Sequence, residues 1–383
     1  MLEKQIKNLP EPWRKLRYYH YRQPVELLEF VLLTAELDVP EHRSVRASGC
    51  ARDPAEAVMK LCGELAERLA LVCFMPLVQA KGSEADLRDA GFRVFSVGEY
   101  LGQPLEGPAW PFIRYDADLV LDWVLSTDLA TGGQVLIPAA LTFPGQSRSG
   151  PVLCELTTNG TAAGKDYNQA LQHALDELLE RDTLRHMWFT GGLLTPSEPP
   201  HFWHSMSERD AALGWRTTFH TVPQLNRPPL VVVLTESSTR PLLGIGSSMD
   251  TDLDGAAEHA LAEALQIRFL ASVSQMMPVA EVNDFLDHVR YYAHPDGCRF
   301  VRDALLGSGN AAAPVEDSLD TGPEALTDAV VLRLRNDDRV QVVRVLAPHA
   351  QAMEARHDAA RLMGRTREFA RRTPIRQEPS PFA

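Results

Sequence analysis

The sequence predicts a mixed α/β (α+β) fold, and three observations carry that expectation. Short β-branched runs within RPPLVVVLTESSTRPLLGIG (227–246) and DAVVLRLRNDDRVQVVRVLAP (328–348) have the length and composition of strands. Residues 54–71, 167–188 and 254–273 place apolar side chains at helical period. The two kinds of segment are interleaved along the chain, which excludes an all-helical or all-strand class.

At 383 residues and 45% hydrophobic, the chain is long enough to bury an ample core as one large domain or two ordinary ones. Its 51 acidic against 38 basic residues give a net charge of −13. That balance argues against nucleic acid as a partner, because polyanion affinity rests on clustered Lys and Arg, although a local basic pocket for a nucleotide is still allowed. Five cysteines (Cys50, Cys62, Cys73, Cys154, Cys298) occur without a CxxC pair and read as free, mostly buried thiols in a reducing compartment. The HFWH stretch, His201 to His204, follows SEPP in an expected loop with no carboxylate in register, so it does not read as a zinc site. Walker A, GxGxxG and GxSxG sequences are absent.

From the N-terminus, MLEKQIKNLPEPWRK has neither an apolar core nor a small-residue cleavage site, so no export signal is expected. The longest apolar runs, LALVCFMPLV and PPLVVVL, are too short to span a bilayer, and a soluble cytoplasmic protein without a membrane partner is expected. Pro and Gly clusters at 102–111, 143–151, 194–202 and 307–325 mark breaks between elements, none long enough to demand separate domains. Before the second expected helix, Asn159, Gly160 and Gly164 in TTNGTAAGKD follow the apolar PVLCEL, so backbone amides of a loop face the helix start. An ordinary turn has the same composition.

The three expected helices are copies of one pattern. DPAEAVMKLCGELAER from Asp53, DYNQALQHALDELLER from Asp166 and DLDGAAEHALAEALQI from Asp252 align without gaps. In that register Lys60, His173 and His259 coincide, then Glu64, Glu177 and Glu263, and finally Glu67, Glu180 and Gln266. Positions i, i+4 and i+7 share one helix face, while Val58, Leu61, Cys62 and Leu65, then Leu171, Ala174, Leu175 and Leu178, and then Ala257, Ala260, Leu261 and Leu265 occupy the opposite one. One such row alone reads as a solvated face with weak i,i+4 pairing. Three aligned copies point instead to a shared centre. Carboxylates gathered in one cavity need cations, and magnesium suits oxygen ligands and arrives with nucleotide phosphates. Lys60, Arg68, Lys165 and Arg181 would then meet phosphate oxygens.

TTNGTAAGKDYNQALQHALDELLERD resembles the signature segment of the YcaO family, in which an SNGxAAG-like loop leads into a helix ending in ExxER. ASGCARDPAEAVMKLCGELAER resembles the family's earlier helix. GIGSSMDTDLDGAAEHALAEALQIR resembles its third, with ExxQ at Glu263 and Gln266. The motifs cover about residues 44–273. The resemblance implies a YcaO-type domain over 44–383, of repeated strand-loop-helix units whose helices line a nucleotide site, preceded by an N-terminal extension, 1–43.

What the family does implies the rest. ATP and Mg2+ would be the cofactors, and a Cys, Ser or Thr of a ribosomal precursor peptide would be cyclised to a thiazoline or oxazoline after phosphorylation of the backbone amide oxygen. The implied metal ligands are Glu64, Glu67, Glu177 and Glu180. Lys60, Arg68, Asn159, Lys165, Gln169, Arg181, His259, Glu263 and Gln266 are implied near nucleotide. Azoline-forming members end in a PxPxP tail at the active site; here the end is EPSPFA, with Pro379 and Pro381 fitting and Ala383 in place of the last proline. That tail is expected to be ordered and to assist proton transfer. Four positions depart from the family pattern: Lys60 (usually Ser), Lys165 (often Asn), Gln169 (often a magnesium-binding Glu) and His259 (often Arg). They keep open a non-catalytic YcaO-like subunit that binds peptide or partner; a second alternative, a thioamide- or amidine-forming YcaO enzyme, is one the PSPF tail speaks against. The implied partners are the precursor peptide, a leader-binding protein related to ubiquitin-activating (E1-like) enzymes, for which residues 1–43 are too few, and optionally a flavin dehydrogenase.

Overall fold

The computed structural model describes residues 17–21, 25–39, 44–73, 77–105, 110–142, 151–222, 228–273, 278–307, 323–336 and 339–382. Most of the expected breaks at 143–151 and 307–325, and Ala383, lie outside the described residues.

Strands β1 (Arg17–Tyr21), β2 (Val31–Leu37) and β3 (Val45–Ala51) form an antiparallel sheet in that order, and β3 leads into α1 (Pro54–Cys73). Next come β4 (Val78–Gly82), α2 (Glu84–Asp89), α3 (Val97–Leu101), β5 (Gln103–Pro104), β6 (Leu121–Asp128) and β7 (Gln134–Pro138). Then β8 (Thr161–Gly164) leads into α4 (Tyr167–Thr190). After β9 (Thr195–Pro196) and α5 (His204–Ala212) follow β10 (Trp215–Val222), β11 (Leu230–Ser237) and β12 (Leu243–Met249), which leads into α6 (Leu253–Val273). The remaining elements are α7 (Phe285–Tyr291), α8 (Pro295–Leu306), β13 (Val330–Asn336), β14 (Gln341–Leu346), β15 (Arg361–Leu362) and α9 (Gly364–Ala370).

Two larger sheets organise the molecule. One runs β12-β11-β10-β9, all antiparallel; the other runs β4-β6-β13-β14-β8, with β7 also paired to β6. The expected strands at 227–246 and 328–348 are the hairpins β11–β12 and β13–β14. The three expected helices are α1, α4 and α6, each within two or three residues of its expected bounds. HFWH differs from its expectation: it is a tight helical turn, His201–Trp203, running into α5 at His204. The boundary expected at 43/44 falls inside the first sheet, where β2 pairs with β3 over its whole length.

Each long helix packs its apolar face on a sheet. Leu61, Leu65, Ala66 and Leu69 of α1 join a core with β2, β3 and β6; Ala257, Ala260, Leu261 and Leu265 of α6 join another with Val231 and Val233. Ala174 and Leu178 of α4 pack on Val343 and Val345 of β14. The end of α4 exceeds its expectation, since Asp182 to Phe189 are buried on every side. Three cysteines are buried, and burial pushes the Cys50 and Cys298 thiols up to about 12 and about 11, so they are protonated and unreactive at neutral pH. Among the described residues no helix is long and apolar enough to cross a membrane.

Candidate functional site

The repeated residues divide into those that build each unit and those that face its neighbours. The leading aspartates are structural: Asp166 caps α4 by accepting from Gln169 N at 2.9 Å, and Asp53 and Asp252 accept from Ala55 N and Gly255 N at the starts of α1 and α6. The alanines four later, Ala57, Ala170 and Ala256, are fully buried. A strand glycine lets each helix sit close: a Cβ on Gly49 would lie 2.1 Å from Ala57 O, on Gly246 2.1 Å from Ala260 O, and on Gly164 2.4 Å from Ala170 N.

The polar rows then meet in a ring. Within a unit, the strand amide caps a glutamate of the following helix: Ser48 N donates to Glu64 at 2.7 Å and Ser247 N to Glu263 at 3.1 Å, with the Gly160 amide serving Glu177 in the same way. Between units, each strand reaches the last polar position of another helix. Ser48 Oγ donates to Gln266 on α6 at 3.2 Å, Ser247 Oγ to Glu180 on α4 at 2.6 Å, and Ala163 N to Glu67 on α1 at 2.8 Å. The three units therefore close on one another cyclically.

They enclose a cavity of about 1510 Å³. Its wall carries Lys60, Glu64, Glu67, Arg68, Asn159, Lys165, Gln169, Glu180, Arg181, His259, Glu263, Gln266 and Pro381. Glu177 and Pro379 lie beside this wall and not on it, and Ala383 is outside the described residues. Along α4 and α6 the wall turns apolar toward the C-terminal ends, at Leu184 and at Ile267 and Leu270, where Phe285, Tyr292 and Phe382 complete it.

Burial in this recess drives the carboxylates toward neutrality. Desolvation pushes Glu67 up to about 8, opposed by the Ala163 amide and aided by Glu177 and Glu64; it pushes Glu177 to about 7 against the pull of Arg181, and Glu263 to about 7, aided by Glu180. Glu180 is also raised by burial, against its bond from Ser247. Arg181, 3.2 Å from Glu177, is held charged beyond its ordinary range because Glu177, Glu180 and Glu263 outweigh its own desolvation. Arg68 pairs with Glu64 at 2.5 Å. Lys60 lies 2.9 Å and His259 3.6 Å from the shared Glu56, and burial and Lys60 lower the His259 pKa. The amide oxygen of Gln169 accepts from Lys165 N at 2.9 Å, so it braces the glycine loop.

This donor set fits a magnesium nucleotide. Carboxylate oxygens are the ligands Mg2+ takes, and carboxylates held near neutrality by burial regain charge when a cation enters. Among the described residues no three acidic, His or Cys side chains gather closely enough to hold a metal alone. Mg2+ commonly uses one or two carboxylates together with substrate phosphates, and Arg68, Lys60, Lys165 and Arg181 on the same walls suit those phosphates.

Sequence reasoning missed several residues of this site. Ser48 and Ser247 each stand 16 residues before a glutamate of the row, and Thr161 keeps the same spacing before Glu177. The repeat extended into the strands would have revealed that hydroxyl. Arg335 and Arg339 add basic groups to the wall, and Met353 and His288 approach from later segments. No periodicity announces them.

Comparison with known proteins agrees with this fold. Residues 48–351 match the family model described as "YcaO cyclodehydratase, ATP- and Mg2+-binding". Among solved structures, a heterocyclase in complex with substrate and cofactor superposes with a TM-score of 0.67 at 15% identity, covering 91% of this chain and 51% of that one. YcaO from Methanopyrus kandleri, bound with AMPPCP and Mg2+, gives 0.57 at 18% identity, covering 88% and 85%. The E. coli microcin synthetase McbBCD complex with pro-MccB17 bound gives 0.65 at 14%, covering 96% of each chain. In sequence, two Mycobacterium tuberculosis proteins described as uncharacterized are 33% identical over 77 residues, 19% of this chain and 18% of each relative, so this match spans under a fifth of their length. The chain belongs to the YcaO family, with ATP and Mg2+ as its cofactors.

Proposed function

We propose that this protein is an ATP-dependent cyclodehydratase that forms thiazolines or oxazolines from Cys, Ser or Thr in a ribosomal precursor peptide. The observation that carries this reading is the carboxylate-rich cavity closed by three helices and lined at its apolar end by the chain's own C-terminal residues, Pro381 and Phe382. In the reaction, the side-chain thiol or hydroxyl adds to the preceding carbonyl, the resulting oxygen attacks the γ-phosphorus of ATP, and ADP departs. Phosphate then leaves with the former amide oxygen and the amide proton is lost, giving the ring. Phosphoryl transfer demands positioning and charge neutralisation more than covalent help from the protein. Bound Mg2+ supplies neutralisation at the phosphates. Glu64, Glu67, Glu180 and, from beside the wall, Glu177 would supply its carboxylate ligands, one or two to an ion together with phosphate oxygens, while Arg68, Asn159, Arg181, Glu263 and Gln266 would orient the nucleotide. Lys60, Lys165, Gln169 and His259, where the chain departs from the family pattern, lie on the same walls; Lys60 and Lys165 would add positive charge there, and Gln169 would offer an amide in place of a carboxylate.

The tail would act at the substrate end. Glu378 to Ser380 are bonded to the protein through their carbonyls, and Ser380 and Phe382 are buried. This ordering supports a role for Pro379 and Pro381 near the reacting peptide, and we expect Ala383, outside the described residues, to share it. The likeness to the microcin synthetase complex with its pro-peptide supports precursor peptide and partner proteins here too. We expect the leader-binding partner to be an E1-like protein, with a flavin dehydrogenase oxidising azolines downstream, in the cytoplasm.

The test is to incubate the chain with its partner, its precursor peptide, ATP and Mg2+ and to weigh the peptide. Loss of one water per modified residue with matching ADP release is expected, abolished by Glu177→Gln. Neither mass change nor ADP with the correct peptide would leave the non-catalytic subunit as the reading.

A further inference from the structure

Three successive main-chain carbonyls of the tail each meet a side chain. Trp188 Nε1 donates to Glu378 O at 2.9 Å, the Tyr292 hydroxyl donates to Pro379 O at 2.5 Å, and His288 Nδ1 lies 2.6 Å from Ser380 O. His288 and Tyr292 are four apart at the end of α7, so they present one face to the tail. These contacts hold the tail by its backbone at Glu378, Pro379 and Ser380, while the Phe382 side chain packs into the core with Trp188 and Tyr292.

His288 has a second neighbour: its Nε2 lies 2.8 Å from Ala355 O. Residues 353–356 brace the other side of the cavity. Met353 O accepts from Asn159 Nδ2 at 3.0 Å, Met353 Sδ accepts from Arg181 Nη1 at 2.9 Å, and Arg356 N donates to Glu155 at 3.0 Å. One buried ring thus stands between the tail and the segment that holds Asn159 and Arg181.

We propose that His288 is a positioning residue that couples the C-terminal tail to the nucleotide side of the cavity through residues 353–356. The proposal rests on the reading above that Asn159 and Arg181 face nucleotide. A neutral imidazole carries one N–H and two carbonyls flank it. Burial, with Arg185 and His357, keeps the ring's pKa below its ordinary value although both carbonyls favour the proton. The neutral ring thus donates to only one of the two carbonyls and the protonated ring to both, so a shift of either carbonyl changes the hold on the other. When nucleotide fixes Arg181 and Asn159, the 353–356 segment is fixed, and with it the tail.

Carboxypeptidase trimming of the full chain, followed by intact mass, tests this without any peptide substrate, so its outcome is separate from whether azolines form. Mg2+ with a non-hydrolysable ATP analogue should slow release of the last residues about fivefold or more. His288→Phe, which keeps the ring but no donor, should erase that protection, and His288→Gln, whose amide nitrogen carries two N–H groups, should restore part of it. Tyr292→Phe should speed trimming with and without nucleotide while leaving the protection ratio intact. By reciprocity, deleting 379–383 should weaken nucleotide binding by the same factor. Trimming in the unaltered chain that ignores nucleotide would overturn the proposal, as would full protection in His288→Phe. Should that variant fail to fold, nucleotide affinity unchanged by the tail deletion overturns it.

Discussion

Glu67, Glu177 and Glu263 make the molecule's response to pH a property of single residues. Burial sets them at about 8, 7 and 7, against an ordinary value of 4.5. The folded protein thus keeps protons that the unfolded chain has already released, and its stability falls as pH rises from about 5 to 8. On the function proposed above, a magnesium nucleotide would take the place of those protons. The melting temperature of the free protein should therefore drop across this window, and saturating Mg2+ and ATP analogue should remove most of the drop. Glu67→Gln should raise the stability of the free protein at pH 8 by about 1 kcal/mol, the scale of one pKa unit, while weakening nucleotide binding at least tenfold. A pH-independent melting curve without ligand would contradict this electrostatic picture.

At the level of elements, the close seating of helix on strand is the feature with the clearest mechanical consequence. Gly49→Ala and Gly246→Ala would each drive a methyl to 2.1 Å from a helix carbonyl, so the helix must shift, with an expected loss of about 1–3 kcal/mol. Gly63→Ala meets nothing within 4 Å inside α1 and should stabilise by about 0.5–1 kcal/mol. Urea unfolding of the three variants checks the contrast. The same elements show what the sequence made legible. The helices were readable because Asp53, Asp166 and Asp252 start them, alanines and leucines line their buried faces, and the glutamates recur at i+4 and i+7. The cyclic closure was not readable, since it depends on Ser48, Ser247 and the Ala163 amide crossing between units distant in the chain. Nor was the hold on the tail, where Trp188, Tyr292 and His288 offer no pattern and bond only to backbone.

At the scale of the whole molecule, the proposed nucleotide site and the tail share one cavity, with its polar wall reaching Arg181 along α4 and Gln266 along α6 and its apolar end near Phe382. Removing residues 379–383 should lower the cyclisation rate by about 100-fold or more, a scale typical of lost positioning. Nucleotide affinity should fall far less, and the two are separated by comparing turnover with direct nucleotide titration. Equal activity without the tail would refute its placement at the reacting peptide. The central claim, that ATP activates the backbone amide oxygen, is tested most directly by labelling that oxygen with oxygen-18 in the precursor peptide. Inorganic phosphate released during cyclisation should carry the label, one atom per ring formed. Unlabelled phosphate alongside ring formation would contradict the claim.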